Sequence, residues 1–420
     1  MLIQFSFQNY RSFRDNATLD LSATKITEHQ HHVTQIGNEK ILPIAAIYGP
    51  NASGKSNICN AFEYMSYYVV ESFSFGADDK NRTRLKPTPF LFETAAKEKE
   101  STFEVYFTDP NDPTNKTYNY GFSVNKDSVT EEWFNTKART ARKYTRIFYR
   151  NTQTLDLPGL SQRHRENIHV SLEKEVLIAS LGAKLKIDKL KNIRNWFLSN
   201  EMKNFGNPIT DYMHLKQLPK GFAEDKQIQK HVRDYLATFD SGITDFIVTK
   251  NPADLDDDEE NATYHIQSVH TSIDSGEPVP IPFPEESAGT QKMFALYPAL
   301  HDVLETGSVL FIDELDARMH PLLVRNFILT FLNRDINPKH AQLIFVAHNS
   351  WQLSNNLLRR DEIWFVDKDK TGVSHLYSLA EFSEPDGTKI RKDANYEKNY
   401  LLGRYGAIPR LEHITFPMGS

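Results

Sequence analysis

The sequence has little cysteine, little net charge and no long apolar run. Its single cysteine, Cys59, excludes an internal disulfide and is typical of a protein from a reducing cytosol. With 49 basic and 55 acidic residues among 420, the net charge of −6 argues against a surface coated with DNA-binding charge, although a local basic groove stays open. No run approaches the roughly 18 apolar residues of a membrane span, and the first residues lack the pattern of a secretion signal. We therefore expect a globular, cytoplasmic protein without a membrane partner.

A glycine-rich motif occupies residues 49–56, which read GPNASGKS and match G-x-x-x-x-G-K-[ST] in full. The apolar run 44–48 predicts a strand before it, and apolar residues at helical spacing from Ile58 to Tyr68 predict a helix after it. In that context backbone N–H groups cradle a polyphosphate, Lys55 reaches the β- and γ-phosphates, and the Ser56 hydroxyl binds Mg²⁺. The alternative is a purely structural loop. The predicted ATP-binding residues of the motif are Gly49, Pro50, Asn51, Ala52, Ser53, Gly54, Lys55, Ser56 and Asn57.

Three kinds of pattern follow one another along the chain. Alternating strand-like segments predict an antiparallel stretch that runs to about residue 150. Residues 162–239 are mostly helical, without the sustained heptads of a long coiled coil, and the acidic run Asp254–Glu260 predicts a solvated loop, with metal binding as the weaker alternative. From residue 285 onward helices and strands alternate, which is typical of a parallel sheet. The expected fold class is α/β, with segments 1–155, 156–242 (a helical insertion) and 243–417.

An apolar strand that ends in two acidic residues supplies the second part of a nucleotide site. Ser308-Val-Leu-Phe-Ile is followed by Asp313 and Glu314. A carboxylate at a strand tip can hold Mg²⁺, which is the role expected of Asp313, and Glu314 is placed to polarise an attacking water as the catalytic base. Two acids after a buried strand often occur by accident, so this prediction depends on the motif at 49–56.

The string Glu286-Ser-Ala-Gly-Thr-Gln291 precedes a predicted helix, and by itself it is an ordinary serine cap. Its place about 20 residues before the acidic strand resembles the signature of ABC ATPases, whose usual form is Leu-Ser-Gly-Gly-Gln. In that superfamily the signature of one subunit closes over the γ-phosphate held by the other. The resemblance implies that ATP is bound in trans by Ser287, Ala288, Gly289 and Thr290.

Two further positions gain a role from resemblance. His348, just past the apolar run 343–347, is similar to the switch histidine of ABC ATPases, which contacts the γ-phosphate, and a catalytic role is expected for it. Asn9-Tyr-Arg-Ser-Phe13 is similar to the Asn-Phe-Arg-Ser element of SMC-type and DNA-repair ATPase heads, in which the arginine reaches the nucleotide. Arg11 is therefore a candidate ATP ligand, with an exposed strand-end arginine as the alternative.

Several strings together resemble RloA/AbiL-like ATPases, a prokaryotic group related to the SMC and OLD families. They are the start of the chain, the Glu-Ser-Ala-Gly-Thr signature, Asp313–Pro321, Asp361–Asp367 and Tyr400–Pro409. Two departures are an arginine, Arg318, before Met-His-Pro, and the lack of an assignable glutamine ligand for Mg²⁺. The resemblance implies an ABC/SMC-type ATPase head that binds ATP and Mg²⁺ and forms a homodimer or a higher even-numbered oligomer.

The resemblance also implies a role in defence against phages. The ATPase would act as sensor or regulator of a separately encoded effector, often a TOPRIM-like nuclease, with DNA or a phage-derived molecule as a candidate trigger. The sequence shows no Cys/His cluster and no metal-ligand spacing outside the nucleotide site, which supports a separate effector.

Two alternatives follow from the same motifs. An SMC-like DNA-repair or DNA-tethering ATPase would use the basic stretch Lys137–Arg150 on phosphates, although this stretch is also explained as a solvated hairpin face. The nucleotide-binding subunit of a membrane transporter is opposed by the N-terminal Asn-Tyr-Arg element, the insertion and the Tyr400–Pro409 tail.

Overall fold

The structure is a computed structural model that describes residues 1–75, 85–110, 112–239, 242–251, 263–384 and 387–409. The acidic run Asp254–Glu260 lies outside the described residues, as does the end of the predicted third segment. The strands are β1 Leu2–Gln8, β2 Ala17–Asp20, β3 Thr34–Ile36, β4 Glu39–Ile41, β5 Ile44–Tyr48, β6 Ser101–Thr108, β7 Thr117–Val124, β8 Val129–Lys137, β9 Thr145–Asn151, β10 Leu155–Asp156, β11 Glu201–Asn204, β12 Asp245–Lys250, β13 Tyr264–Thr271, β14 Pro278–Pro282, β15 Val309–Asp313, β16 Gln342–Val346, β17 Ile363–Lys368 and β18 Ser374–Ser378.

The α-helices begin where the sequence offers a turn or a cap. Lys55 follows the left-handed Gly54, and the helix that starts at Ala288 is capped by Ser287. None of the described helices combines the length and the apolar character needed to cross a bilayer. The helices are α1 Lys55–Glu71, α2 Thr94–Lys97, α3 Gln162–Ser171, α4 Ile178–Lys184, α5 Asp188–Leu198, α6 Pro208–Lys216, α7 Lys226–Leu236, α8 Ala288–Thr306, α9 Pro321–Leu332 and α10 Tyr396–Leu401.

A six-stranded sheet in the order β11-β15-β16-β5-β17-β18 forms the centre of the molecule. The first five strands are parallel, and β18 joins antiparallel at the edge. All five residues of β5, and likewise of β15 and β16, are buried, as in a parallel sheet covered on both faces. We call the edge where the parallel strands end the carboxyl edge and the opposite one the amino edge. Loops that leave the carboxyl edge hold the ligands of α/β sheets.

A seven-stranded antiparallel sheet, β10-β9-β8-β7-β6-β1-β2, covers one face of the central sheet. The core between the two sheets is aromatic: Phe62 of α1 stacks on Phe311 of β15 at 4.2 Å between ring centroids, and Trp196 of α5 stacks on Phe107 of β6 at the same distance. A second core on the other face of the central sheet involves α7, α8 and α9. This arrangement confirms the predicted α/β class with an antiparallel subdomain.

The segment predicted as a helical insertion holds more than helices. It contains α3 to α7, but β11 between α5 and α6 pairs in parallel with β15, so this stretch supplies an edge strand of the central sheet. The stretch is mostly helical, as expected, but β11 was not anticipated, because Glu-Met-Lys-Asn shows no apolar alternation and tertiary pairing forms the strand. The boundaries 155/156 and 242/243 stay predictions, and all three segments contribute strands to one sheet.

Candidate nucleotide-binding site

The glycine-rich loop leaves β5 at the carboxyl edge and needs both of its glycines. Gly49 has φ 155° and Gly54 has φ 108°, a region that side chains avoid. A Cβ at Gly49 would lie 2.3 Å from the carbonyl oxygen of Val366, and one at Gly54 would lie 2.5 Å from Ser12 Oγ. The loop therefore threads between the end of β17 and the N-terminal turn, and α1 starts at Lys55 directly after it.

Lys55 is held inside this loop. Its Nζ donates to the carbonyl oxygens of Gly49 at 2.8 Å and Pro50 at 3.0 Å, and the side chain is almost fully buried. Burial lowers the pKa of Lys55, while the nearby carboxylates, Asp313 foremost, act in the opposite direction. A buried ammonium aimed along a loop of backbone N–H groups is the arrangement that a polyphosphate requires.

Asp313 lies at the tip of β15 beside Ser56, as predicted. Burial raises the pKa of Asp313, and a hydrogen bond with the Ser56 side chain partly offsets this. One carboxylate oxygen, Oδ1, is buried without a hydrogen-bond partner among the described residues. An orphaned carboxylate oxygen next to a hydroxyl fits a hard dication. Ser56 and Asp313 are therefore the residues that would hold Mg²⁺, which when bound neutralises phosphate charge.

Glu314 and His348 meet at the same edge. His348 Nε2 lies 3.5 Å from Glu314 Oε1, and both side chains are partly exposed, at 43% and 31%. Glu314 has φ 57°, a sparsely populated conformation for a non-glycine residue that is often found at functional sites. The structure thus brings together the two residues predicted as catalytic, one from the turn after β15 and one from the turn after β16.

Asp316 fixes these two turns to each other, and sequence reasoning missed it. Its Oδ2 accepts the backbone N–H groups of His348 at 3.0 Å and Asn349 at 2.6 Å. The only signal was its place two residues after Glu314. Because the partners are more than 30 positions apart, the role of Asp316 becomes visible only in the fold.

Lys292 is a second residue that the sequence did not single out. Its buried Nζ donates to the backbone carbonyl oxygens of Glu314 and Leu315, both at 2.8 Å, and of Ala317 at 2.9 Å. The ammonium also lies 4.3 Å from the centroid of the Phe205 ring. A lysine before the apolar run 293–296 was the available signal. Lys292 ties α8, the helix that follows the signature, to the turn that carries Glu314.

The signature residues occupy the N-terminus of α8. Ser287 Oγ accepts the backbone N–H of Thr290 at 3.1 Å and lies 2.8 Å from its hydroxyl, so the serine is a helix cap. Ser287 and Ala288 are exposed, and Gly289 is partly exposed. Glu286 immediately before them is held by His270, whose Nε2 lies 2.6 Å from its Oε1.

The N-terminal turn braces the glycine-rich loop, with Arg11 at its outer side. Ser12 Oγ accepts from Asn57 Nδ2 at 2.8 Å and from the hydroxyl of Ser374 at 2.8 Å. The exposed Arg11 points Nη1 at Asn57 Oδ1, 3.4 Å away. The structure therefore places Arg11 beside the first turn of α1, next to the predicted ligand Asn57.

A cleft of about 790 Å³ opens beside the loop. This volume falls within the range of small-molecule sites. One wall is the C-terminal string Tyr400–Pro409 singled out in the sequence, and the signature residues do not line this cleft. The lining residues are Gly49, Pro50, Asn51, Ala52, Ser53, His348, Ser350, Asp367, Lys368, Asp369, Tyr400, Leu401, Ile408 and Pro409.

The turn after β11 packs against Glu314. The sequence had offered no assignable glutamine ligand for Mg²⁺. A Cβ at Gly206 would lie 2.8 Å from Glu314 Oε1, so the carboxylate packs against this glycine. Asn204 Oδ1 accepts the backbone N–H groups of Gly206 and Asn207 and shapes the turn.

Three of the six basic residues in the stretch Lys137–Arg150 form ion pairs within the chain. Arg150 is buried, with its Nε 3.1 Å from Glu132 Oε2. Lys137 pairs with Glu39 at 2.7 Å, and Arg146 lies 3.6 Å from Asp156. These contacts favour the hairpin-face interpretation over phosphate binding.

Comparison with known proteins gives the class and then the family. A family model described as "AAA domain, putative AbiEii toxin, Type IV TA system" matches residues 44–350, from β5 through the predicted switch histidine. The match covers more than half of the chain, and the chain therefore belongs to this AAA-domain family. The narrower resemblance to RloA/AbiL-like ATPases stays a prediction.

The chain was also compared with curated proteins and with solved structures. None of the curated proteins compared with the chain matches it. Among solved structures, the SmcHead bound to the C-winged helix domain of ScpA aligns with 90% of this chain and 97% of its own, at 14% identity and a TM-score of 0.41.

Proposed function

We propose that this chain binds Mg²⁺-ATP at the carboxyl edge of its central sheet and hydrolyses it between two copies of itself. The observation that carries this proposal is the convergence at one edge of Lys55, the orphaned oxygen of Asp313 beside Ser56, and the pair Glu314–His348. Four groups from three loops meet where ligands of parallel sheets bind. Membership of an AAA-domain family supports the nucleotide as ATP.

Each group has a task in the proposed reaction. Lys55 and the loop N–H groups hold the β- and γ-phosphates, with Ser56 and Asp313 holding the metal. Glu314 orients and polarises the attacking water, a contribution of roughly 10²–10⁴ in rate. His348, 3.5 Å from Glu314, reaches the same space from the next strand along the sheet.

A second copy completes the site. Of the signature residues, Ser287 and Ala288 are exposed at the start of α8 whereas Thr290 is buried, and the N–H groups of a helix N-terminus favour an anion. The resemblance to ABC ATPases implies that the phosphate they would contact is held by a partner. Lys292 joins this helix to the turn of Glu314, which links the surface for the partner to the chain's own base.

The output of the cycle is control of a separate effector. We assign the chain as sensor or regulator in anti-phage defence, with a TOPRIM-like nuclease as the expected effector. The family description, which names a putative AbiEii toxin and a Type IV TA system, supports a protein that acts within a genetic defence or growth-control module. The DNA-tethering alternative is disfavoured, because none of α3 to α7 exceeds 11 residues and three of the six basic residues in Lys137–Arg150 are paired within the chain.

Complementation between two inactive variants tests the proposal. Lys55→Ala removes the phosphate contact but keeps the signature, and Ser287→Glu repels phosphate but keeps the loop. Each variant alone should lack ATPase activity. Mixed in equal amounts, they should recover roughly a quarter of the parent rate, because half of the dimers are mixed and each holds one intact site.

The exposed Glu305→Gln, at the far end of α8, is the control and should keep the parent activity alone and in mixtures. Two inactive variants that stay inactive when mixed, although light scattering shows mixed dimers, would contradict a site shared between copies. A Ser287→Glu chain with full activity would contradict the assignment of the signature.

A further inference from the structure

Three histidines lie together on the connection between β2 and β3. His29, His31 and His32 each offer a ring nitrogen, and these atoms all lie within 4.8 Å of one another. The sequence-based conclusion that no Cys/His cluster exists was therefore wrong. The pattern His-x-His-His matches none of the usual zinc spacings, but three histidines within four residues were a signal that the sequence offered. His29 turns the chain here with φ 45° and ψ 48°, and a short 3₁₀ helix follows.

A buried carboxylate holds one of the three rings. His32 Nδ1 lies 3.0 Å from both oxygens of Glu362, and both side chains are buried. Glu362 also accepts the backbone N–H of Arg359 at 2.9 Å. Because Nδ1 is occupied, Nε2 is the nitrogen of His32 that is left for a ligand. A carboxylate behind a histidine is the arrangement that orients metal-binding imidazoles and makes them better donors.

The carboxylate of Glu362 is not paired with either of the two neighbouring guanidinium groups. Arg359 pairs with Asp361 at 2.9 Å, and Arg360 pairs with Glu28 at 2.6 Å. The side chain that faces the carboxylate of Glu362 is a histidine. A buried carboxylate is stabilised by a positive charge at its partner, which a metal ion on His32 would supply.

The rings must adjust to bind one ion. His29 stacks on His32 with centroids 4.9 Å apart and 17° between the planes, whereas His31 stands at 82° to His32. A metal lies near the plane of each imidazole that binds it, so the ring of His29 has to turn. His29 is half-buried and His31 exposed, which permits the turn. His29 Nε2 contacts the carbonyl oxygen of Asn355 at 2.7 Å and leaves Nδ1 as its donor.

We infer that His29, His31 and His32 bind one divalent cation of the zinc class, with water completing the coordination. Three imidazoles suit Zn²⁺, Co²⁺ or Ni²⁺ rather than Mg²⁺. Glu362 immediately precedes β17, so this site lies at the amino edge, across the central sheet from Asp313. The ion joins three residues of the connection between β2 and β3, the contact of His32 with Glu362 ties this connection to the loop before β17, and the ion is separate from the metal of the nucleotide site.

Cobalt and zinc titrations of the full chain, prepared without a polyhistidine tag and stripped with a chelator, test this inference. The parent protein should bind one Zn²⁺ per chain by calorimetry, show the visible absorption of Co²⁺ bound by nitrogen ligands, and gain Tm with Zn²⁺. His29→Ala and His31→Ala change exposed or half-buried positions and should lose the cobalt absorption and the zinc-dependent gain in Tm. Glu362→Gln should weaken zinc binding by about 10–100-fold.

Two control variants keep the result interpretable. His169→Ala removes an exposed histidine on α3, and Ser56→Ala removes a predicted ligand of the nucleotide-site metal; both should bind Zn²⁺ like the parent. Absence of binding by the parent chain would overturn the inference. Parent-like binding by His31→Ala together with His29→Ala would also overturn it, since the ion would then lie elsewhere.

Discussion

The two edges of the central sheet both bury charged groups but treat them in opposite ways. At the carboxyl edge, Asp313 and Asp316 each keep one buried oxygen without a hydrogen-bond partner among the described residues. At the amino edge, both oxygens of Asp361 accept from Arg359, and Oδ2 also accepts from the backbone and hydroxyl of Thr24. Glu362 is likewise satisfied by His32 and a backbone N–H.

Carboxylate oxygens without a partner are typical of a ligand-binding site, whereas fully paired charges stabilise the fold. A buried polar group without a partner costs about 1–3 kcal/mol, and at a binding site a ligand can supply the missing contact. Positive φ occurs at both edges, at Gly49, Ala52, Gly54 and Glu314 of the carboxyl edge and at His29 and His340 of the amino edge, so backbone strain does not distinguish them. At the amino edge paired charges join residues more than 300 positions apart and hold the two ends of the chain together.

The largest effect is expected from Glu314→Gln at the carboxyl edge. Loss of the carboxylate removes the base but leaves the loop and Lys55 intact, so ATP hydrolysis should fall by roughly 10²–10⁴-fold. Nucleotide affinity and Tm should stay close to those of the parent. Steady-state phosphate release together with calorimetry measures both. Parent-like hydrolysis would remove Glu314 from the catalytic role.

Arg359→Met at the amino edge should have the opposite effect, a loss of stability without a loss of nucleotide binding. Removing one partner of a buried ion pair strands Asp361 and should lower the free energy of unfolding by about 3–5 kcal/mol, with ATP affinity of the folded fraction unchanged. The matched control Arg391→Met breaks an exposed pair with Asp393 and should leave the free energy of unfolding close to that of the parent. Denaturant titration measures the losses. Equal losses in the two variants would show that burial of the pair does not matter.

Lys292→Met should lower both the free energy of unfolding and the rate of ATP hydrolysis, because this lysine joins α8 to the turn that carries Glu314. Three backbone carbonyls lose their donor, which should cost about 1–3 kcal/mol of unfolding free energy. The position of Glu314 then loosens, so hydrolysis should also fall although Lys292 touches no nucleotide. The exposed Lys339→Met is the control for both measurements. A loss of stability with full hydrolysis would limit Lys292 to a structural role.

Of the substitutions at the two edges that should alter the free energy of unfolding, Asp313→Asn should change it least, and the change should be a gain in stability. Burial raises the pKa of Asp313 above its usual 3.8, so above the folded-state pKa the charged carboxylate opposes folding. The variant should therefore be more stable than the parent at neutral pH. As the pH falls through the raised pKa towards 3.8, the parent carboxyl becomes protonated and the difference should shrink.

Unfolding curves of both proteins across this pH range measure the difference directly. A variant less stable than the parent at neutral pH would show that the carboxylate is a structural partner, contrary to its orphaned oxygen. In either case the variant should lose Mg²⁺-dependent nucleotide binding.

Local chemistry made the carboxyl edge predictable. The loop 49–56 and the strand before Asp313 carry their function in contiguous residues, because glycine conformations and apolar runs are local properties. The parallel strands then bring these segments to one edge, and His348 arrives with the strand next to Asp313. The strand–loop–helix context and the Glu314–His348 pair were accessible from the sequence for this reason.

The other features of the fold and the site depend on contacts between residues far apart in the sequence and were therefore not predicted. β11 has no strand pattern and exists because β15 offers backbone partners. Lys292 and Asp316 act through backbone groups more than 20 positions away, and backbone acceptors leave no residue-type signal. Arg150 belonged to a basic stretch in the sequence, yet its buried pairing with Glu132 depends on strand register.

The most direct test of the account is the ATP affinity of Lys55→Ala in the presence of Mg²⁺, measured by calorimetry. The account predicts that affinity falls on the order of 10–100-fold, from roughly 1.5–3 kcal/mol for a hydrogen bond to a charged group, while Tm without nucleotide is unchanged or higher. ATP binding as tight as in the parent chain would contradict the claim that this edge of the sheet holds the nucleotide.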